Sequence, residues 1–274
     1  HGLALQAVQA ASPRPACVGL VSSYSPCVPA SASAADAEAA RRVDAHLNRI
    51  VLDPVLLGAY PVEVIEHYER HGAFVAVRDG DLATISQPMG FLGTNYYSRR
   101  HVTHPGSAAV NGNGGHEHGY SLQLLADLAA AEVVPPGVLV SEIGLPIEAE
   151  GLRQTLCEIT DRYGPLPIYV TENGLALHDY VNPEGIINDQ ARIEFMHEHV
   201  EAVAQAIEAG CDVRGYFAWS LLDNLEWHLG YAPRFGLVYV DFATQRRYPK
   251  RSYAWYQDFI ERQGSRARPR TVAS

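Results

Sequence analysis

The chain has 274 residues, 47% of them hydrophobic and 19% charged, enough for one large domain with a substantial core or for two small ones. Lys and Arg number 21 against 31 Asp and Glu, a formal charge of −10, and an acidic surface repels phosphate backbones and anionic lipid. Nucleic acid and membrane surfaces are therefore poor candidate partners, and no apolar run approaches the roughly 18 residues of a transmembrane helix.

The chain opens on His1 rather than Met, and His1 to Val8 already reads as the middle of a helix, as expected of a chain cut inside an element. Cys17 to Ser23 is a short apolar strand that ends in polar residues. Ser33 to Arg49 is an amphipathic helix, apolar at Ala40, Val43, Leu47 and Ile50, which Asp53-Pro54 is expected to break. Pro61 to Arg70 is a second helix with Pro at its start. Phe91 to Tyr97 is the next strand. His101 to Gly119 is a long Gly-, His- and Asn-rich loop, a length that marks function or disorder.

Leu139 to Pro146 continues the irregular stretch, and Gly151 to Tyr163 is helical. Ile168 to Gly174, Ile-Tyr-Val-Thr-Glu-Asn-Gly, is a buried strand that stops on a carboxylate, an amide and a glycine. A Glu there fits the catalytic rim of an α/β barrel, while a Glu-Asn-Gly surface turn would need no function. Asp189 to Ala209 is the clearest helix, closed by Gly210. Val213 to Ser220 is a fourth strand, and Ser252 to Arg262 the last helix. Residues 264–274 are a basic tail without apolar period, expected to be disordered, so residues 1–263 hold the fold. The four cysteines, Cys17, Cys27, Cys157 and Cys211, show no CxxC pairing and read as reduced, packed thiols of a cytoplasmic protein.

Strands that alternate with helices and end in polar residues call for a parallel sheet with crossover helices. A complete eight-stranded barrel takes about 250 residues, yet only four such strands are legible, near residues 18, 91, 168 and 214. The expectation is half a (β/α)8 barrel with large loops. Neighbouring strands would bring Ser22, Ser23, Asn95, Tyr97, Glu172, Asn173, Trp219, Asp223, Asn224, Glu226 and Trp227 to one mouth. Carboxylates, amides and tryptophans at one rim suit a sugar, whose C–H faces pack on aromatics and whose hydroxyls pair with carboxylates and amides.

Tyr169 to Gly174 resembles the nucleophile signature of family 1 glycoside hydrolases, the β-glucosidases. Gly215 to Trp227, continuing through Gly230-Tyr231 to Arg234–Asp241, is similar to that family's C-terminal block. Phe91 to Tyr97 and Arg41 to Pro61 fit the same family. The resemblance implies strands five to eight of the barrel. It implies Glu172 as the nucleophile that forms a covalent glycosyl-enzyme, Tyr97 hydrogen-bonding that carboxylate, and Asn95 beside it. It further implies Glu226 and Trp227 gripping the sugar hydroxyls, Trp219 as the floor under the ring, and Phe235 lining the pocket. A carboxylate at Glu226 disfavours a 6-phosphosugar, leaving β-glucosides or β-galactosides, or short oligosaccharides, as substrates; no cofactor or metal is implied.

The departures are as informative. A retaining glycosidase needs two carboxyl groups about 5–5.5 Å apart. The family's acid/base Glu lies in an Asn-Glu-Pro motif, and that tripeptide does not occur in this sequence. The first four strands are therefore expected to be absent, the chain alone to be inactive, and an N-terminal half-barrel to be required. Without it, the open strand edges predict aggregation or dimerisation. Glu142 and Glu117 are the loop carboxylates that could substitute. Leu145 stands where many relatives carry a Trp that stacks on the aglycone, and His116-Glu117-His118 reads as a solvated loop rather than a metal site. The competing reading is a non-catalytic half-barrel kept for sugar binding or assembly. A complete small α/β enzyme of another class is the third.

Overall fold

The four legible strands pair into one sheet in the computed structural model, which describes residues 1–73, 76–106 and 122–267. These residues divide into two compact units. The first comprises His1–Val140, Gly144–Asn173 and His199–Phe217, and the second Ser141–Ile143, Gly174–Glu198 and Ala218–Ser274.

The first unit begins with α1 (Gly2–Ala11), β1 (Gly19–Ser23) and β2 (Cys27–Pro29), then α2 (Ala34–Asp44). Ser33 caps α2 by accepting the Asp36 amide at 3.1 Å. A π-helical turn over Ala45–Arg49 carries α2 straight into α3 (Ile50–Leu56), so Asp53-Pro54 does not break the helix. Pro54 removes one amide donor only two residues before the helix ends. The burial of Leu52, Pro54 and Val55 and the Arg49–Asp53 ion pair at 3.1 Å outweigh that loss.

After α4 (Val62–Arg70) and α5 (Asp81–Ile85) come β3 (Phe91–Asn95), β4 (Arg100–Thr103), α6 (Leu122–Asp127), β5 (Ala131–Val133), α7 (Ala149–Tyr163) and β6 (Ile168–Asn173). The helix α8 (Gln190–Glu208) and β7 (Val213–Ala218) follow, with Gly210 at φ +103° making the left-handed turn between them. The main sheet runs β1-β3-β6-β7, with β1 and β6 both parallel to β3. Its core sets Leu92, Ile168 and Val170 against Leu152, Leu156 and Ile159 of α7 and Ala202, Val203 and Ala206 of α8. Each fully buried Leu or Ile there contributes about 1.5–3 kcal/mol. At the two sheet edges Val21 and Phe217 remain 49% and 55% exposed.

A second sheet, β2-β4-β5, packs Val102 with Ala39, Ala40 and Val43 of α2, and β4 takes the start of the stretch expected to be one long loop. Residues 107–121, which take in the rest of that stretch with His116-Glu117-His118, lie outside the described residues.

In the second unit β8 (Val238–Val240) pairs antiparallel with β9 (Arg247–Pro249), and α9 (Arg251–Ala267) stacks Trp255 on Phe259 at 5.7 Å. The helix runs through Ala267, past the Arg262 end expected and into the expected tail. Residues 268–274 lie outside the described residues.

One feature of the first unit predicts a pH response. His46 on the π-helical turn packs against His67 of α4 with ring centroids 4.8 Å apart, and His67 against His71 at 4.3 Å. The His46 Nδ1–H donates to the Arg42 carbonyl at 2.9 Å, and its buried Nε2 has no partner among the described residues. Burial pushes both His46 and His67 below the ordinary imidazole pKa, and His67 is lowered further by His46, His71 and Arg70; Glu63 and Asp127 oppose the shifts. Both rings therefore bind protons more readily in the unfolded chain, at about pH 6.5, than in the folded one. Their stabilisation is complete above pH 6.5 and is lost as pH falls below it. The urea midpoint should drop between pH 7 and 5.5, a window in which ordinary carboxylates stay charged. A His46→Gln, His67→Gln variant should lose most of that slope.

Candidate active site

The carboxyl end of β6 places Glu172, half-buried, where the chain turns from core to polar. Pairing with β3 shifts register between Thr94 and Asn95, so Asn95 faces Glu172. Four side chains of the first unit bond here in two pairs. Tyr97 OH donates to Glu172 Oε2 at 2.7 Å, and Thr171 Oγ1 donates to Asn95 Oδ1 at 2.6 Å. The first bond fixes the rotamer of Glu172. The second engages the carbonyl end of the Asn95 amide, so that its NH2 end is the donor turned to other partners.

Behind these two pairs lies a set of contacts that no local pattern reveals. Asn173, expected at the mouth, is fully buried: Tyr216 OH donates to its Oδ1 at 2.7 Å, and its Nδ2 donates to the Tyr96 carbonyl at 2.9 Å. The Tyr96 amide in turn donates to the Glu172 carbonyl at 3.0 Å. Asn173 thus joins the ends of three strands beneath Glu172, its amide accepting at one end and donating from the other. Ser22 and Ser23 sit at the end of β1, where the Ser22 hydroxyl donates to the Ser23 carbonyl at 3.3 Å. Leu145, in the same unit, lines a small cavity with Ser98, Arg99, His101 and Pro146.

The second unit holds the other expected residues. Trp219 is half-buried, and Gly174 packs so close beneath it that a Cβ there would lie 2.0 Å from the Trp219 carbonyl oxygen. Ser220 N–H donates to the Phe235 carbonyl at 3.3 Å, and Phe235 is itself 5% exposed. Glu226 is half-buried at the head of a short 3-10 turn, its amide bonded to the Gly230 carbonyl at 2.7 Å. Trp227, first in that turn, is 85% exposed. Asp223, also expected at the mouth, is instead 3% exposed and forms the centre of an ion-pair network with Lys250 and Arg234. Asn224 turns inward to donate to Ser220 Oγ at 3.0 Å.

Glu142, one of the two loop carboxylates that could substitute for the missing acid, pairs through Oε1 with His178 Nδ1 at 3.0 Å in the second unit. Burial raises its pKa, with Asp179 adding to the shift and His178 and Arg234 opposing it. The other substitute, Glu117, lies outside the described residues. Among the described residues no group of three or more His, Cys, Asp or Glu side chains is placed to hold a metal ion, and no helix is long and apolar enough to cross a membrane.

Comparison with known proteins places these residues in context. The sequence model of the family described as Glycosyl hydrolase family 1 matches residues 1–265. The chain is 41% identical over 231 residues to a bifunctional beta-D-glucosidase/beta-D-fucosidase of Bifidobacterium breve, covering 82% of this chain and 48% of that protein. It is 38% identical over 266 residues to the thermostable beta-glucosidase B of Thermobispora bispora, covering 97% and 51%. Among solved structures, a psychrophilic beta-glucosidase from Micrococcus antarcticus superposes with a TM-score of 0.88 at 37% identity, covering 95% of this chain and 56% of that one. The chain spans about half the length of the curated relatives it matches.

Proposed function

The chain belongs to glycosyl hydrolase family 1, and on that premise we propose that it carries the nucleophile of a retaining β-glycosidase acting on β-D-glucosides or β-D-galactosides. The observation that supports this best is the bond from Tyr97 OH to Glu172 Oε2 beside the β3 bulge, at the positions where the family resemblance puts the nucleophile and its partner. A carboxylate held in one rotamer can attack an anomeric carbon along a fixed line, giving a covalent glycosyl-enzyme that water then opens. Asn95 is assigned a contact beside the reacting centre. In the second unit Glu226 and Trp227 are assigned the glycone hydroxyls, Trp219 the ring face, and Phe235 the wall behind them.

The four-stranded sheet is read as the C-terminal half of the barrel, strands five to eight. Three observations support this: the coverage of about half of each relative, the open edges with exposed Val21 and Phe217, and the lack of an Asn-Glu-Pro tripeptide in these 274 residues. The acid/base carboxyl is accordingly assigned to a segment outside them, on the same or another polypeptide. The four free cysteines agree with a reducing compartment such as the cytoplasm.

A 2,4-dinitrophenyl 2-deoxy-2-fluoro-β-D-glucoside tests the nucleophile apart from the acid/base. Its leaving group departs without protonation, and the fluorine slows hydrolysis of the intermediate. The folded protein should gain one fluoroglucosyl group on the peptide that contains Glu172, and Glu172→Gln should gain none. Saturable glucose binding without labelling would favour the non-catalytic half-barrel instead.

A further inference from the structure

Two thiols of the first unit face each other in the core, away from the catalytic residues. Cys157 projects from α7 and Cys211 sits in the turn between α8 and β7, with their Sγ atoms 3.8 Å apart. Cys211 is 5% exposed and belongs to the main core cluster, against which half-buried Cys157 packs. The backbone on both sides is anchored: the Cys211 amide donates to the Ala206 carbonyl at 3.0 Å, and α7 buries Leu156 and Ile159 on either flank of the thiol. Their proximity is therefore set by the packed helix α7 and by a turn tied back onto α8. Closing the gap to the sulfur–sulfur bond of about 2.05 Å asks for about 1.8 Å of approach, within reach of small side-chain rotations. Cys17 and Cys27 have other neighbours, Gly90 and the Ser25 carbonyl.

We propose that Cys157 and Cys211 form an oxidation site, a resting dithiol that a two-electron oxidant of the peroxide class converts to an intramolecular disulfide. Cys157 is the thiol that solvent reaches, so it reacts first. Its sulfur attacks one peroxide oxygen, the O–O bond breaks, and the departing hydroxide takes the thiol proton as water, leaving a sulfenic acid. The Cys211 sulfur then attacks the Cys157 sulfur, the S–O bond breaks, and the second proton leaves with that oxygen as a second water. Two thiols and one hydrogen peroxide thus give one disulfide and two waters. Burial and the neighbouring Cys211 hold the Cys157 thiol up at about 11, which leaves little thiolate, keeps the dithiol as the resting state and makes the step with peroxide slow.

The bond would join residues 54 apart and tie α7 to the entry of β7. Asp212, next to Cys211, accepts the amide of Ile168 at 2.9 Å, so the cross-link falls at the start of β6, whereas Glu172 stands at its end. Its effect is on stability of the first unit, not on the geometry of the nucleophile.

The test uses the 274-residue protein with all four thiols reduced, exposed to hydrogen peroxide under native conditions, alkylated in denaturant and digested with trypsin. The expected result is loss of two alkylatable thiols of four and a cross-linked pair of peptides, residues 154–162 with 193–214, from a band that stays monomeric without reductant. The oxidised protein should melt at least about 5 °C higher, an increase that dithiothreitol reverses and Cys157→Ser abolishes. A sulfinic acid on Cys157 with no cross-link overturns the proposal. A disulfide that joins Cys17 or Cys27, or two chains, overturns it as well.

Discussion

Asp223→Ala is expected to destabilise the second unit by about 3–5 kcal/mol, enough to unfold a marginal protein. The carboxylate of Asp223 is fully buried and accepts four donors: Lys250 Nζ at 2.9 Å, Gly236 N at 2.9 Å, Arg234 Nη1 at 2.9 Å and Val240 N at 3.3 Å. Lys250, equally buried, shares its ammonium with Asp179 at 2.6 Å. Arg192 closes the network on Asp179 at 2.7 Å and Asp189 at 2.5 Å. Asp179, Asp189 and Asp223 balance Arg192, Arg234 and Lys250, three charges against three, so deleting Asp223 leaves one uncompensated cation out of water. Lys250 is the weak member: burial lowers its pKa, Arg192's charge lowers it further, and Asp179 and Asp223 are what oppose the fall. Urea unfolding of parent, Asp223→Ala, Lys250→Met and the double variant separates the terms. The double variant should recover part of the loss, since removing both partners leaves less unpaired charge than removing one. A single-variant loss below 1 kcal/mol would show that the network is dispensable.

Asp223 also shows where sequence reading stops. It lies between Trp219 and Glu226, and nothing in that stretch distinguishes a rim carboxylate from a buried one; Lys250, which decides the matter, is 27 residues away. Asn173 is the same case, since its partner Tyr216 lies 43 residues on, and Tyr97 reaches Glu172 across 75. The main sheet was legible because each strand is an apolar run long enough to show a polar end, as Ile168–Val170 before Glu172 does. Strands such as β2, β5, β8 and β9 have three residues each, too short for any period to register, and they owe their pairing to neighbours brought by the fold. Pro54 misled for a related reason. Proline's local penalty of about 3 kcal/mol is fixed by chemistry, but the burial that offsets it depends on what the helix packs against.

On the proposed function, Glu172→Ala, assayed together with the segment proposed to supply the acid/base, should lower β-glucoside turnover by roughly 10⁴-fold or more. Tyr97→Phe should do something smaller and different in kind. It removes one hydrogen bond to a charged acceptor, worth about 1.5–3 kcal/mol, and so about 10- to 150-fold in kcat, while KM changes little. The two can be told apart by rescue. Formate or azide fits the space that Glu172→Ala leaves and attacks the anomeric carbon once, so the rescued product should have inverted configuration. Tyr97→Phe keeps its nucleophile, so its product should retain configuration and no small anion should speed it. Rescue with retention in Glu172→Ala would mean that another carboxylate forms the covalent intermediate. Turnover unchanged by Glu172→Ala would mean that the bulged junction of β3 and β6 holds a structural glutamate rather than the reacting one.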